Sequence, residues 1–323
     1  MGDLAKHPLI EGNEYMYADG VLNQYNGKPR VLTDEPGKVA GDESRIGQRF
    51  HVDTHRRVIN LKVSSELGDG LYGTVYLMCE WSTPRQCTEA IKLHVKMELG
   101  TFQRVVASQV FANQILPGNS LRLEVAVWQG PALAVLVMPR ADGDLATIAG
   151  SIPYHEIMYI LEVMRKNRMM HGDFKLNNLL SYKGRVVVND FDRTVLFGPS
   201  GAPVGIFNHK PVVVTCQYND VVVNAAYPST WSKAEYWDEA MFMYIQLYRS
   251  HKPEQLLQEV YGSNILRKQK VLACIAQHIV NNHMFMCWQT NKYGMVTLIP
   301  KNFDRVVKLV TASRTATKNR RST

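Results

Sequence analysis

The run His171-Gly172-Asp173-Phe174-Lys175-Leu176-Asn177-Asn178, followed by Val186-Val187-Val188-Asn189-Asp190-Phe191-Asp192, decides how this chain is read. The first segment fits H-x-D-x-K-x-x-N, and the second is a short apolar strand that ends on Asp-Phe-Asp. A polar turn between two helices is the bland alternative. It does not account for four matched positions followed at a suitable distance by Asp-Phe. The set has a definite chemistry: a carboxylate able to orient an attacking hydroxyl, and oxygen ligands able to hold magnesium on phosphates. Asp173 fits the first role, and Asn178 and Asp190 fit the second.

Two weaker signals lie upstream. In Ala90-Ile91-Lys92 a lysine stands on an otherwise apolar strand, where burial demands an anionic partner. Taken alone, a surface lysine with a buried stem explains it as well. Before it, Gly68-Asp69-Gly70-Leu71-Tyr72-Gly73-Thr74-Val75 forms a G-x-G-x-x-G-x-V run. Glycines let backbone N–H groups approach phosphate oxygens without a Cβ in the way. A ligand-free glycine hairpin and a dinucleotide-binding turn are the rivals, and the second is disfavoured because the run joins two strands, not a strand and a helix.

Together these residues resemble the eukaryotic protein kinase family, from the glycine run to the Asp-Phe-Asp segment. The resemblance implies an α+β, two-lobed protein-kinase-like fold, with a small β-rich N-lobe and a larger, mainly helical C-lobe. It implies an ATP- and Mg2+-dependent enzyme that phosphorylates serine or threonine on protein substrates. Gly68, Gly70, Gly73 and Val75 would cover the nucleotide, and Lys92 would bind its α- and β-phosphates. Asp173 would be the catalytic base, Lys175 would steady the γ-phosphate, and Asn178 and Asp190 would ligate magnesium. Met138 to Asp144 resembles the hinge, where the Pro139 carbonyl and Ala141 N–H would meet adenine and Asp144 would reach the ribose.

Four departures stand against a complete match. The helix after Lys92 carries no glutamate at the usual distance: Glu98 comes early, and Gln109 is better placed but uncharged. Gly172 replaces the arginine that receives a phosphorylated loop in many kinases. Asp192 replaces a glycine, and no Ala-Pro-Glu follows, although Thr215-Cys216-Gln217-Tyr218 matches a Thr-x-x-Tyr spacing. Glu235 and Asp238 both qualify as the acidic anchor of a buried helix beginning near residue 235. Such departures are common in virus-encoded and other divergent kinases. His-Gly-Asp with Asp-Phe-Asp also resembles small-molecule kinases of the aminoglycoside and choline phosphotransferase type. A nucleotide-binding pseudokinase is the third reading.

The rest of the chain frames these motifs. Residues 1–57 are rich in Gly, Asp, Asn and Pro and read as an irregular extension. Alternation then predicts three strands at Val58–Val63, Thr74–Met78 and Glu89–Leu93. Met97 to Leu116 reads as a helix, with Phe102, Val105, Val106, Val110 and Phe111 on one face and Gln103, Arg104 and Gln114 on the other. Two apolar strands follow, Leu121–Trp128 and Leu133–Met138. The expected domains are an N-lobe at 58–140, a C-lobe at 141–310 broken by a loop-rich stretch from Phe197 to Pro228, and a basic tail at 311–323.

The 323 residues suffice for two lobes, and 20% charged residues suit a globular protein. No apolar run reaches the roughly 20 residues of a membrane span, so no membrane partner is expected. The net charge of +8 favours acidic partners, but the basic tail is too short to predict a nucleic-acid partner. Five scattered cysteines without a Cys-x-x-Cys pair predict reduced thiols and a cytoplasmic or nuclear location, in a host cell if the protein is viral.

Overall fold

The computed structural model describes residues 14–18, 21–25, 31–33, 49–53, 58–70, 73–80, 87–94, 97–128, 134–207, 213–218, 221–226, 228–276, 288–291, 294–297 and 308. Along the chain run β1 (Glu14–Ala18), β2 (Val21–Tyr25), β3 (Val31–Thr33), β4 (Arg49–Asp53), β5 (Val58–Gly70), β6 (Gly73–Glu80) and β7 (Glu89–His94). Helix α1 (Leu99–Ile115) precedes β8 (Val125–Trp128), β9 (Ala134–Pro139) and β10 (Gly143–Asp144). Then come α2 (Tyr154–Lys166), β11 (Met169–Met170), β12 (Leu179–Tyr182), β13 (Arg185–Val188) and β14 (Val195–Leu196). The remaining elements are β15 (Val213–Tyr218), β16 (Val221–Ala226), α3 (Trp231–Ala234), α4 (Trp237–Arg249), α5 (Pro253–Tyr261), α6 (Ile265–Ile275), β17 (Trp288–Asn291) and β18 (Gly294–Thr297). Contacts divide the chain into two compact units, Met1–Asp144 with Leu180–Asp192, and Leu145–Leu179 with Arg193–Thr323.

The first unit is built on a nine-stranded sheet in the order β2-β1-β8-β9-β7-β6-β5-β4-β3. The three strands expected between 58 and 93 are its antiparallel β5-β6-β7 run. The described residues of the extension read as irregular form β1 to β4, which pair at both ends of that sheet. These strands run only three to five residues each, too short for their periodicity to register against the glycines and prolines between them.

Side-chain alternation buries both faces of the sheet's centre. Leu61, Val63, Tyr76, Met78, Ile91, Leu93, Val125, Val127, Val135 and Val137 form one core with Phe50. Ala126, Trp128, Ala134, Leu136 and Met138 point the other way, into a core shared with Phe102, Val105 and Val106 of α1. Phe102 is fully buried there, and burial of such a side chain stabilises by about 1.5–3 kcal/mol. The helix departs from its expected polarity: Gln103 is buried, while Val110 and Phe111 are only half-buried. Gly118, at φ +84°, turns the chain after α1 in a conformation that favours glycine.

The hairpin β12–β13 joins the first unit because it is bonded to the segment after α1. Leu121 N–H donates to the Val188 carbonyl, Val188 N–H to Asn119, and the Asn119 side chain to the Val186 carbonyl. The strand leading to Asp190 is thus fixed by the unit that carries Lys92. A disulfide joins Cys79 to Cys87 across the β6–β7 connection, which corrects the expectation of reduced thiols at these two positions. Antiparallel pairing brings together cysteines whose spacing of eight carries no pairing signal in sequence.

In the second unit α4 is buried along nearly its whole length, from Trp237 to Leu247. That burial includes Asp238 and Glu239, which therefore need dedicated partners. Arg267 of α6 grips the Glu239 carboxylate with contacts of 2.8–3.0 Å and reaches Glu162 of α2 at 3.3 Å. Burial pushes the Glu239 carboxyl up while Arg267 opposes that shift. The stretch from 197 to 228, expected as loop, contains the β15–β16 hairpin in a four-stranded sheet with β17 and β18. Among the described residues, no helix is long and apolar enough to cross a membrane.

Candidate functional site

The glycine run forms the end of the β5–β6 hairpin. Gly70 pairs with Gly73 and Gly68 with Val75, with register shifts at Val63/Ser65 and Glu66/Gly68 that irregularise β5. The glycines have different causes. A Cβ on Gly73 would run into the Leu93 carbonyl, so glycine there is required by the packing of β6 on β7. A Cβ on Gly68 would meet open space, so nothing within the described protein requires its absence.

Val75 lies directly opposite Lys92, and Lys92 in turn opposite Leu136. Residues facing each other across an antiparallel pair share a sheet face, so Lys92 projects from the side that carries α1. Its ammonium reaches Asp190 at 2.6 Å and Asp192 at 3.0 Å, partners ninety-eight and one hundred residues away. Phe191 between them is fully buried and pins both acids. Burial alone would pull the Lys92 ammonium down, but Asp190 and then Asp192 outweigh it and hold the group above the usual lysine value. Burial, aided by the Asp190 charge and opposed by Lys92, pushes Asp192 up to about 6. Asp190 has φ +65°, in the left-handed region that costs a non-glycine residue on the order of 1–3 kcal/mol and clusters at functional positions.

The helix supplies none of this. Glu98 is the exposed N-cap of α1, and the Gln109 amide donates to the Leu121 carbonyl. Along the segment after β9, Arg140 N–H donates to the Thr88 carbonyl and Asp142 N–H to Ser181. The Ala141 N–H between them makes no hydrogen bond among the described residues. Asp144, expected at the ribose, is half-buried in β10 and pairs with Leu180.

The Asp173 loop belongs to the second unit. His171 N–H and Gly172 N–H both donate to the Asp238 carboxylate, at 2.6 and 2.8 Å. Asp238 is therefore the acidic anchor; Glu235 is instead ion-paired with Arg165 at 2.9 Å. Burial pushes the Asp238 carboxyl up, while His171 and the two backbone donors oppose it. Gly172 has φ +82°, in the left-handed region that favours glycine. His171 is fully buried against Phe174, and Phe174 stacks edge-on against Phe242 of α4.

That packing aims Asp173. Its Oδ2 accepts from Lys175 at 2.9 Å and Asn178 at 3.2 Å, while the buried Oδ1 has no hydrogen-bond partner among the described residues. Asn178 also donates to the Asp173 carbonyl, which leaves its amide oxygen as the atom able to ligate a cation. Thr215 and Tyr218 lie in β15 opposite Asn224 and Val221.

The described residues gather no cluster of three or more His, Cys, Asp or Glu around a metal position. Magnesium does not require one, because it is bound by one or two carboxylates together with substrate phosphates and water. Asp190 and Asp192 place two carboxylates on one ammonium, and the buried Asp192 Oδ1 makes no hydrogen bond among the described residues, a donor chemistry compatible with a cation. Asp192 and Asp238 are the residues whose part sequence reasoning left undecided. The second acid of Asp-Phe-Asp was the available signal for Asp192; for Asp238 there was only its place in the first turn of an apolar helix. No protein-family model matches the chain, and no curated protein matches it.

Proposed function

We propose that this chain is an ATP- and magnesium-dependent protein kinase that transfers the γ-phosphoryl group to serine or threonine, and that its two units are the lobes of a kinase fold. The observation that carries this reading is the ion pair of Lys92 with Asp190 at 2.6 Å. These residues were singled out independently, one as a phosphate ligand and the other as a metal ligand, and a nucleotide–metal site needs them adjacent. Asp173 adds support, since its buried Oδ1 has no partner among the described residues and could take an acceptor's proton.

In this mechanism Gly68 and Gly70 admit the phosphates close to the backbone, and Lys92 neutralises the α- and β-phosphates. Asp173 orients the acceptor hydroxyl and takes its proton as the oxygen bonds to the γ-phosphorus; the bond to the β–γ bridging oxygen breaks, and ADP leaves. Lys175 compensates the charge that gathers on the transferring group. Asn178 and Asp190 would hold the magnesium ion, which when bound offsets phosphate charge as a Lewis acid.

The test is transfer from γ-labelled ATP to a mixture of generic protein substrates, followed by phosphoamino-acid analysis. Phosphoserine or phosphothreonine is expected. Phosphotyrosine, or label on an aminoglycoside or choline in place of protein, overturns the acceptor assignment. Magnesium-dependent nucleotide binding with no transfer to any acceptor overturns the enzyme reading in favour of a pseudokinase.

A further inference from the structure

Lys92 projects from the face on which α1 packs, yet no carboxylate of α1 meets it. The helix is committed elsewhere. Gln109 and Asn113 both donate to the Leu121 carbonyl, Asn113 also bonds Ser120 and accepts from Leu123 N–H, and Trp128 Nε1 donates to Met97 just ahead of the helix. With Phe102, Val105 and Val106 buried in the core, α1 is fastened as part of the scaffold.

The anion that faces Lys92 comes instead from Asp192, at a position where a glycine would offer no side chain. Its side chain is 9% exposed against 32% for Asp190. The more exposed acid is the one suited to a cation shared with solvent and phosphates; the buried acid is suited to a permanent counter-ion. We propose that Asp192 is a positioning residue that takes the place of a helix glutamate. It aims Lys92 at the nucleotide phosphates from within the Asp-Phe-Asp segment, so that α1 has no part in switching the lysine. When Asp190 turns to a cation, Asp192 keeps the ammonium in place. A helix movement that breaks a lysine–glutamate pair cannot turn such an enzyme off, since there is no such pair to break. This rests on the kinase reading for its nucleotide, but the anchoring of Lys92 belongs to the protein alone.

The experiment therefore has two arms on the full-length chain. In the first, without nucleotide, 15N-lysine NMR detects the Lys92 ammonium as a resonance protected from solvent exchange, assigned by its loss in Lys92→Arg. Asp192→Asn is expected to reduce that protection to what Asp190 alone provides, and Glu98→Gln to leave it intact. In the second, Asp192→Asn raises KM for ATP roughly ten- to a hundredfold, the size of a charge-assisted hydrogen bond. In the same assays kcat changes by less than about threefold and Asp192→Glu recovers part of the loss, which a general packing defect would not show. Retention of both the resonance and KM in Asp192→Asn overturns the proposal. So does an increase in KM on the order of tenfold in Glu98→Gln, which would mean the helix supplies the counter-ion once nucleotide binds. If Asp192→Asn does not fold, Asp192→Glu and Glu98→Gln decide alone: a perturbed Lys92 resonance in the first with an unaltered second supports the anchor, and the reverse refutes it. A wild-type chain that shows the protected resonance but binds no ATP defeats the kinase reading while leaving the anchor standing.

Discussion

Asp173 and Lys92 each sit in a buried ionic group, and the two groups are supported in different ways. Lys92 stands on β7, a central strand whose backbone is saturated by ladders to β6 and β9. Its backbone needs no help from side chains, and its ammonium is held by Asp190 and Asp192. Asp173 stands on an irregular loop, where the backbone donors of His171 and Gly172 have no ladder and are taken up by Asp238. The charge balance differs too. Asp173 is matched by Lys175 with an oxygen left over, whereas Lys92 faces two carboxylates. A regular strand fixes the backbone of a functional residue without a buried acid, and the acids at Lys92 serve the side chain alone. A loop obtains the same precision through an extra buried acid, because each buried N–H must be paired.

The comparison is broken most severely at Asp173, the base of the proposed reaction. Asp173→Ala is expected to lower transfer by about 10²–10⁴-fold, the usual contribution of a positioned base, with ATP affinity nearly unchanged. Steady-state kinetics beside calorimetric ATP titration check this; a matching loss of affinity would make Asp173 a structural residue.

A smaller effect separates loop support from strand support. Asp238→Ala removes the carboxylate that accepts from the His171 and Gly172 N–H groups, at about 1–3 kcal/mol for each bond lost, and loosens the loop that carries Asp173. Chemical denaturation should report lower stability, and kcat should fall with it, while the hydrogen bonds along β7 remain protected in amide exchange. Loss of protection in β7 as well would mean that the two regions are not independently supported.

The smallest expected effect is none. Gly172 puts no guanidinium beside Asp173, and nearby Arg168 is already engaged with the carbonyls of Gly198 and Pro199. A phosphate between Thr194 and Tyr218 would lack the arginine on the fixed loop through which it normally orders its segment. Phosphatase treatment of active protein, with mass spectrometry confirming a bare segment, should leave the rate unchanged. A large drop reversed by rephosphorylation would show that another basic group, Arg193 first among them, receives the phosphate.

What could be read from sequence was whatever is local. The β5–β6–β7 run and α1 announced themselves by periodicity, and the Asp173 and Asp190 segments by contiguous residue types. The strands within 14–53 and the β15–β16 hairpin were missed, because short strands are defined by partners far along the chain and not by their own pattern. Pairing also made the Cys79–Cys87 bridge, which spacing alone argued against. Glu235 and Asp238 are three positions apart and equally acidic, and sequence could not choose between them. Packing chose: Asp238 lies within reach of two backbone donors sixty-six and sixty-seven residues away, and Glu235 faces Arg165. The partner of Lys92 was undecidable for the same reason. Sequence showed that a buried lysine needs an anion and that α1 lacks a suitable one; tertiary structure alone selected Asp190 and Asp192, because burial makes the choice of counter-ion a matter of distance in space, to which separation along the chain is no guide.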